Sequence, residues 1–264
     1  MNVATTSTPQ SERACYVYGV VPESTTAPKQ ARGVGDPPAP VTLVRHHRVA
    51  ALVSEIDPGR PLGTPDDLRA HARILNSVAA ERTPVLPFRF GGVVRDEAAV
   101  ADELLSPLEE KFAAALAELD DHTQFTVRGE YQEDHILGEI LADRPDIDRL
   151  REQTMDQSAD AGYYQRIQLG EMIAQEIDAR RRTDTQVLLD RLGPLAAAVA
   201  PGAPAAEQAV DVSFLVHRAK RSAFEAAAEE LAKGWAGRID VRLLGPLAPY
   251  DFVAGIVEQA EEVL

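Results

Sequence analysis

The sequence predicts an α+β protein of two domains, each a small, mainly antiparallel sheet covered by helices on one face, with ferredoxin-like or split βαβ elements as natural arrangements. Three observations carry this. First, three segments alternate apolar with mostly polar residues: Phe125, Val127 and Tyr131; Val210, Val212, Phe214 and Val216; Ile239, Val241 and Leu243. Alternation of period two marks strands with one wet face, the signature of an antiparallel sheet covered on one side. Second, helical stripes with recognisable start signals lie between the strand-like segments. Third, 264 residues with 45% hydrophobic content suffice for one large or two modest domains. The change of character near Asp121 divides the chain into a flexible tail over residues 1–13, an N-terminal α+β domain over 14–121, a C-terminal α+β domain with a long helical insertion over 122–249, and a C-terminal amphipathic segment over 250–264.

The elements follow in order. Tyr16–Val21 is a strand stopped by Pro22, and the Pro- and Gly-rich stretch 22–40 is a long loop. Val41–Val44 and Val49–Ile56 form a hairpin with Arg45-His46-His47-Arg48 at its turn. Thr64-Pro65-Asp66-Asp67 starts a helix: Thr64 caps, Pro65 takes the first helical position, and the acids face the positive end of the dipole. Its apolar stripe is Leu68, Ala72, Leu75 and Ala79, with Ile74 and Val78 beside it. Val85–Phe90 is an edge or bulged strand, because Pro87 cannot donate to a ladder, and Gly91-Gly92 turns the chain. Asp96 opens a second helix, with a new cap and a break expected at Ser106-Pro107-Leu108-Glu109. After the strand at 125–131 a helical stretch spans about 133–199, broken at Arg144-Pro145, with a longer helix from Asp160 to about Leu192. Leu195–Ala206 is a loop or frayed helix end. Phe224, Ala227, Ala228 and Leu231 make a short amphipathic helix between the last two strands. Phe252, Val253, Ile256, Val257, Ala260, Val263 and Leu264 form a terminal apolar stripe that reads as core packing rather than partner binding.

Charge and motifs exclude several function classes. The formal net charge of −15 repels phosphate backbones and anionic lipid, so neither nucleic acid nor a membrane surface is expected as a partner. No apolar run approaches the roughly 18 residues of a membrane span, and Met1–Arg13 lack the apolar core of a signal peptide. The single cysteine, Cys15, sits in an apolar strand and reads as a buried hydrophobe in a reducing cytosol. Gly-x-Ser-x-Gly, His-Glu-x-x-His, paired cysteines and a Gly-rich phosphate loop are all missing from the sequence. No catalytic, cofactor or metal residues are therefore assigned.

Five polar features remain. His135 and Glu139 lie one helical turn apart, as metal ligands can, but without a second histidine nearby. His46-His47 is flanked by Arg45 and Arg48, which repel a cation, so a hairpin turn is the better reading. His71 reads as a packing or hydrogen-bonding residue meeting the 87–90 strand, and Ser77, six residues on, lies on another face. Arg180-Arg181-Arg182 and His217–Arg221 are basic runs that read as solvated faces.

Two blocks stand out from this background. One is His71-Ala72-Arg73-Ile74 followed by Thr83-Pro84-Val85-Leu86-Pro87-Phe88-Arg89-Phe90-Gly91-Gly92. The other is Leu244-Gly245-Pro246-Leu247-Ala248-Pro249-Tyr250-Asp251-Phe252-Val253. With the opening Tyr16-Val17-Tyr18-Gly19-Val20-Val21, they resemble the GvpF/GvpL family of gas vesicle proteins, in order and spacing, over nearly the whole folded chain. Where the family often has an aromatic and a proline between Pro246 and Pro249, this chain has Leu247 and Ala248, which leaves the F-like or L-like subgroup open. The resemblance implies a two-domain architecture with a ferredoxin-like element. It also implies a non-enzymatic accessory or minor structural protein of the gas vesicle, in the vesicle or the cytoplasm. Such a protein acts in nucleation and assembly by binding the hydrophobic shell protein GvpA, and other accessory proteins of the vesicle. It supplies no catalytic residues and no cofactor. The residues it highlights as partner-binding or fold-setting are Pro87, Phe88, Arg89, Phe90, Gly91, Gly245, Pro246, Pro249, Tyr250 and Phe252, with the sheet edge near Pro87–Phe90 or the groove between the two domains as the expected contact surface. The alternative is a small-molecule or metal-dependent enzyme or sensor on the same scaffold, using His135 and nearby carboxylates.

Overall fold

The computed structural model describes residues 13–155, 162–205 and 207–261. The expected flexible tail, apart from Arg13, the expected helix start at Asp160 and the terminal residues Val263 and Leu264 lie outside that range. The chain divides into two units, Met1–Thr123 with Pro246–Leu264, and Gln124–Gly245. The last stretch, from Pro246 onward, thus belongs with the first unit.

The first unit holds β1 (Ala14–Pro22), β2 (Arg32–Gly35), β3 (Pro38–His46), β4 (Val49–Ile56), α1 (Pro65–Ala80), β5 (Leu86–Pro87) and β6 (Val93–Val94). A helical run follows: α2 (Glu97–Ala99), a π-helical stretch Val100–Leu105, and α3 (Ser106–Glu118). The sheet order is β2-β3-β4-β1-β5, with β6 also on β1. β1 is an inner strand, antiparallel to β4 from Ala14↔Ile56 to Pro22↔Val49. Its other edge is shared by β6 at Cys15 and Tyr16 and by β5 at Gly19 and Val20. β5 is an edge of two residues, as Pro87 requires. The register of β1 slips between Val17 and Gly19, and Gly19 is needed there: a Cβ would stand 2.4 Å from the Leu86 carbonyl.

Tyr16, Tyr18, Ala50, Leu52 and Ile56 pack with Ile74, Leu75, Val78 and Ala79 of α1. The residues between them, Val49, Ala51 and Val53, are buried too, so β4 reads as a nearly continuous apolar run. Thr64 caps α1 through a complete capping box with Asp67, and Arg60 holds that carboxylate at 3.0 Å. The helix lies a little rotated from the expected stripe. His71, Ile74, Leu75 and Val78 face inward, whereas Leu68 is 48% exposed.

Two expectations for this unit are corrected. The stretch 22–40 is not one loop, because β2 pairs with β3 inside it. Gly33 makes this possible, since a Cβ there would lie 2.4 Å from both Ser54 Oγ and Tyr18 Oη, and Val34 N–H donates to Tyr18 Oη at 2.7 Å. No fresh cap forms at Ser106 either. The helix runs through Pro107 by way of the π turn, in which Ser106 N–H reaches back to Ala101 O.

The second unit holds β7 (His122–Tyr131), α4 (Glu133–Asp143), α5 (Pro145–Met155), α6 (Tyr163–Leu192), β8 (Ala198–Pro201), β9 (Gln208–His217), α7 (Arg221–Gly234) and β10 (Ile239–Leu247). Its sheet order, β10-β7-β9-β8, places the fourth strand beside the first and the third beside the second, the ferredoxin-like arrangement. Phe125, Val127, Val210, Val212, Phe214 and Val216 pack with Leu188 and Leu192 of α6 and with Phe224, Ala228 and Leu231 of α7. A smaller cluster of Ile136, Ile140 and Ile147 lies under Leu169, Met172, Ile173 and Ile177. The Ala/Pro/Gly stretch after α6 contains β8, paired from Ala198↔Leu215 to Pro201↔Val212, rather than loop alone. Thr126 and Ser213, read as solvent-facing, are buried and bonded to each other at 2.8 Å, with Gln124 Nε2 donating to both. The last described element of the first unit is α8 (Ala254–Glu261), in which Val257 and Ala260 are buried, as is Val253 just before it.

Candidate functional site

The two sequence blocks, separated by more than 150 residues, meet on one core. Phe90 and Tyr250 both pack against the cluster that holds Tyr16, Tyr18, Ile74 and Ala248. His71 organises the first block. Its Nε2 lies 3.1 Å from the Phe88 carbonyl and its Nδ1 lies 2.9 Å from Tyr16 Oη. A carbonyl only accepts, so Nε2 carries the proton and Nδ1 accepts from the Tyr16 hydroxyl. Tyr16 Oη in turn accepts from Gly91 N–H at 3.2 Å. The imidazole is stacked on Tyr18 and lies edge-on to Tyr16 and Phe90. Burial holds its pKa down, to about 4, against a small opposing effect of the Phe88 carbonyl. A neutral histidine therefore fixes the strand end at three points, as its sequence context anticipates.

Each highlighted residue then has a defined place. Pro87 is buried and faces Gly19 across the sheet. Phe88 is fully buried, donates its N–H to Tyr18 O at 2.9 Å and sets its ring 6.3 Å from Phe112. Arg89 points outward and pairs with Glu258 of α8 at 3.3 Å. Phe90 is half-buried, and Gly91 adopts a φ of +113° that favours glycine. Gly245 has a φ of +147°, and a Cβ there would stand 2.5 Å from the Phe125 ring. Pro246 closes β10, Pro249 is buried, and Tyr250 and Phe252 are half-buried in the short turn before α8. Asn76 Oδ1 accepts from Ala248 N–H at 2.9 Å, tying this return to α1. The residues from Val85 to Phe88 are buried, so they do not offer the open strand edge expected as a contact surface. Tyr16, Ser54 and Asn76 complete the arrangement. Tyr16 is visible in the sequence as part of the opening motif, whereas only the polar exceptions within buried runs hint at Ser54 and Asn76.

The other polar clusters are engaged differently from their sequence reading. Glu139 accepts from His135 at 3.2 Å but also from Arg238 Nε at 2.9 Å, with Arg180 Nε 3.8 Å away. Two guanidinium groups beside one carboxylate make a poor cation site. Arg238 further donates to the buried Asp184 at 2.8 Å, which also accepts from the Tyr131 hydroxyl at 2.6 Å. Arg180 binds Asp143 and Glu176, and Arg181 Nε binds the Gln208 carbonyl at 2.8 Å. These arginines are 14% and 17% exposed, so two members of that basic run are internal ties and not a solvated face. Ser77 Oγ donates to Ile74 O at 2.7 Å, and this hydroxyl borders an open cavity of about 890 Å³ shared with Arg32, Arg73 and Glu81. A nucleophile there would need a base beside it, and His71 faces away into the core.

The fold and these residues define a two-unit α+β protein with a ferredoxin-like second unit, in which the recurrent motifs shape backbone and core. The chain belongs to the family described as gas vesicle synthesis protein GvpL/GvpF, which it matches over residues 14–254. It is 34% identical over 247 residues to gas vesicle protein F of Streptomyces sp. (strain CB03234), covering 90% of this chain and 98% of that one. It is 24% identical to gas vesicle protein F of Nostoc sp. (strain PCC 7120 / SAG 25.82 / UTEX 2576), over 90% of this chain and 96% of that one. Crystal structures of GvpF from Anabaena sp. PCC7120 and from Microcystis aeruginosa share the fold, with TM-scores of 0.74 and 0.73 at 23% and 21% identity. Each comparison covers 91% of this chain and 98% of the other.

Proposed function

We propose that this chain is a non-enzymatic accessory protein of gas vesicle assembly, of the F type, that acts in nucleation by binding the hydrophobic shell protein GvpA. The observation that carries the reading is the family match through both units, from residue 14 to residue 254. The motif residues support it from the chemical side. They hold strand ends and turns, and the one buried histidine among them is bound on both ring nitrogens. The relatives' shared name, gas vesicle protein F, supports an association with the vesicle. Among the described residues no helix is long and apolar enough to cross a membrane.

A partner as apolar as a shell protein calls for exposed apolar side chains. Tyr163, Tyr164 and Ile167 on the first turns of α6 are 59%, 81% and 45% exposed, and Met155 at the end of α5 is 74% exposed. These are the side chains whose replacement tests the reading. Deleting the gene from a vesicle-forming host should abolish or shorten vesicles seen by electron microscopy, and the intact chain should restore them. Restoration that fails with Tyr163→Ser/Tyr164→Ser, in a protein that still folds, supports a binding role. Normal vesicles in the deletion strain would contradict the proposal.

A further inference from the structure

We propose that the tip of the β3–β4 hairpin binds a divalent transition metal through the imidazoles of His46 and His47 and the carboxylate of Glu109 on α3. One ligand atom from each of these residues lies within 4.8 Å of the others. Two imidazoles and a carboxylate form a donor set suited to Zn²⁺ and its neighbours, with a fourth position left for water. The groups come from two separate elements, so the arrangement depends on the fold and not on local sequence alone.

Two further observations bear on the site. Adjacent residues of a strand point to opposite faces, which would separate His46 from His47. Here His47 has a φ of +46°, and the two rings stand edge to face with centroids 4.5 Å apart. This left-handed backbone, which histidine adopts more readily than most residues, brings the His47 ring beside that of His46. Of the flanking arginines, which repel a cation, Arg45 is engaged elsewhere and Arg48 is bound to the proposed ligand itself. Arg45 turns back to the Glu23 and Thr25 carbonyls and to the Glu23 carboxylate at 3.4 Å. Arg48 Nε pairs with Glu109 Oε1 at 2.9 Å. The Glu109 carboxylate thus faces both the two imidazoles and the Arg48 guanidinium. Arg48 also competes with the metal for the same carboxylate.

The test uses untagged, full-length protein stripped with a chelator and titrated with Zn²⁺ by calorimetry, with the visible spectrum of Co²⁺ reporting the ligand field. One equivalent per chain is expected. His46→Ala/His47→Ala should abolish it. Glu109→Gln should weaken it by at least the roughly tenfold that even an outer-shell change costs. Arg48→Gln, by removing the competitor and its charge, should tighten it. Zn²⁺ should raise the melting temperature of the native protein and leave that of the double variant unchanged. The variants alter an exposed turn, and circular dichroism checks that they fold. Absence of saturable binding, or binding equal in the native protein and the double variant, would overturn the proposal.

Discussion

Burial of single titratable side chains gives this protein its sharpest measurable properties. His71 is neutral in the fold, with a pKa near 4 against an ordinary 6.5. Its folded value is depressed, so the unfolded chain takes up the proton first as the pH falls. The stability it contributes is complete above about pH 6.5 and is lost progressively down to about pH 4. The full loss is of order 3 kcal/mol. Denaturant titrations between pH 7.5 and 4 should show this slope, and His71→Gln should flatten it. Tyr16→Phe removes the donor to His71 and the acceptor for Gly91 N–H, at a cost of about 1–3 kcal/mol. Cys15 lies in β1, where burial first, and then the acids Glu97, Asp96 and Glu55, push its thiol up to about 11. It should resist thiol reagents at pH 8 until the protein unfolds. Rapid labelling of the folded state would show that β1 opens locally.

At the scale of elements, charge ties the helices of the second unit to its sheet. Arg238 bridges Glu139 of α4 and Asp184 of α6 from the start of β10. Arg238→Ala leaves Asp184, 8% exposed, with a hydroxyl as its remaining partner, and should destabilise by about 3 kcal/mol. Equilibrium unfolding by circular dichroism checks this, and Glu258→Ala, whose partner Arg89 is exposed, is the surface control with a change under about 1 kcal/mol.

The same elements show what was legible in advance. The cap at Thr64, the β3–β4 hairpin, the break at Pro145 and the three alternating strands follow from local chemistry, and the structure contains them all. β2 and β8 were masked by glycine and proline, because their pairing depends on what a side chain would strike rather than on propensity. The arginine run at 180–182 looked like surface because its acceptors, Glu139, Asp143 and the Gln208 carbonyl, lie far along the chain or on other elements. His71 was legible as a packing residue, but its partners Tyr16 and Phe88 were visible only as members of the same motif. The grouping of Glu109 with His46 and His47 had no local signal at all.

At the scale of the whole molecule, the proposed role is binding of the shell protein in vesicle assembly. The C-terminal segment contributes to the first unit: Val253, Val257 and Ala260 are buried, and Lys111 of α3 reaches Gln259 at 2.7 Å. Truncation after Tyr250 should therefore lower the melting temperature, so loss of function in that variant would report folding before contact. Replacement of exposed side chains is the cleaner probe. The most direct measurement is co-purification of the full-length chain with tagged GvpA after co-expression, comparing the native protein with Tyr163→Ser/Tyr164→Ser/Ile167→Ser. The account predicts a stable complex with the native chain and a weakened one with the folded variant. No complex with the native chain at micromolar concentration would contradict direct binding of the shell protein.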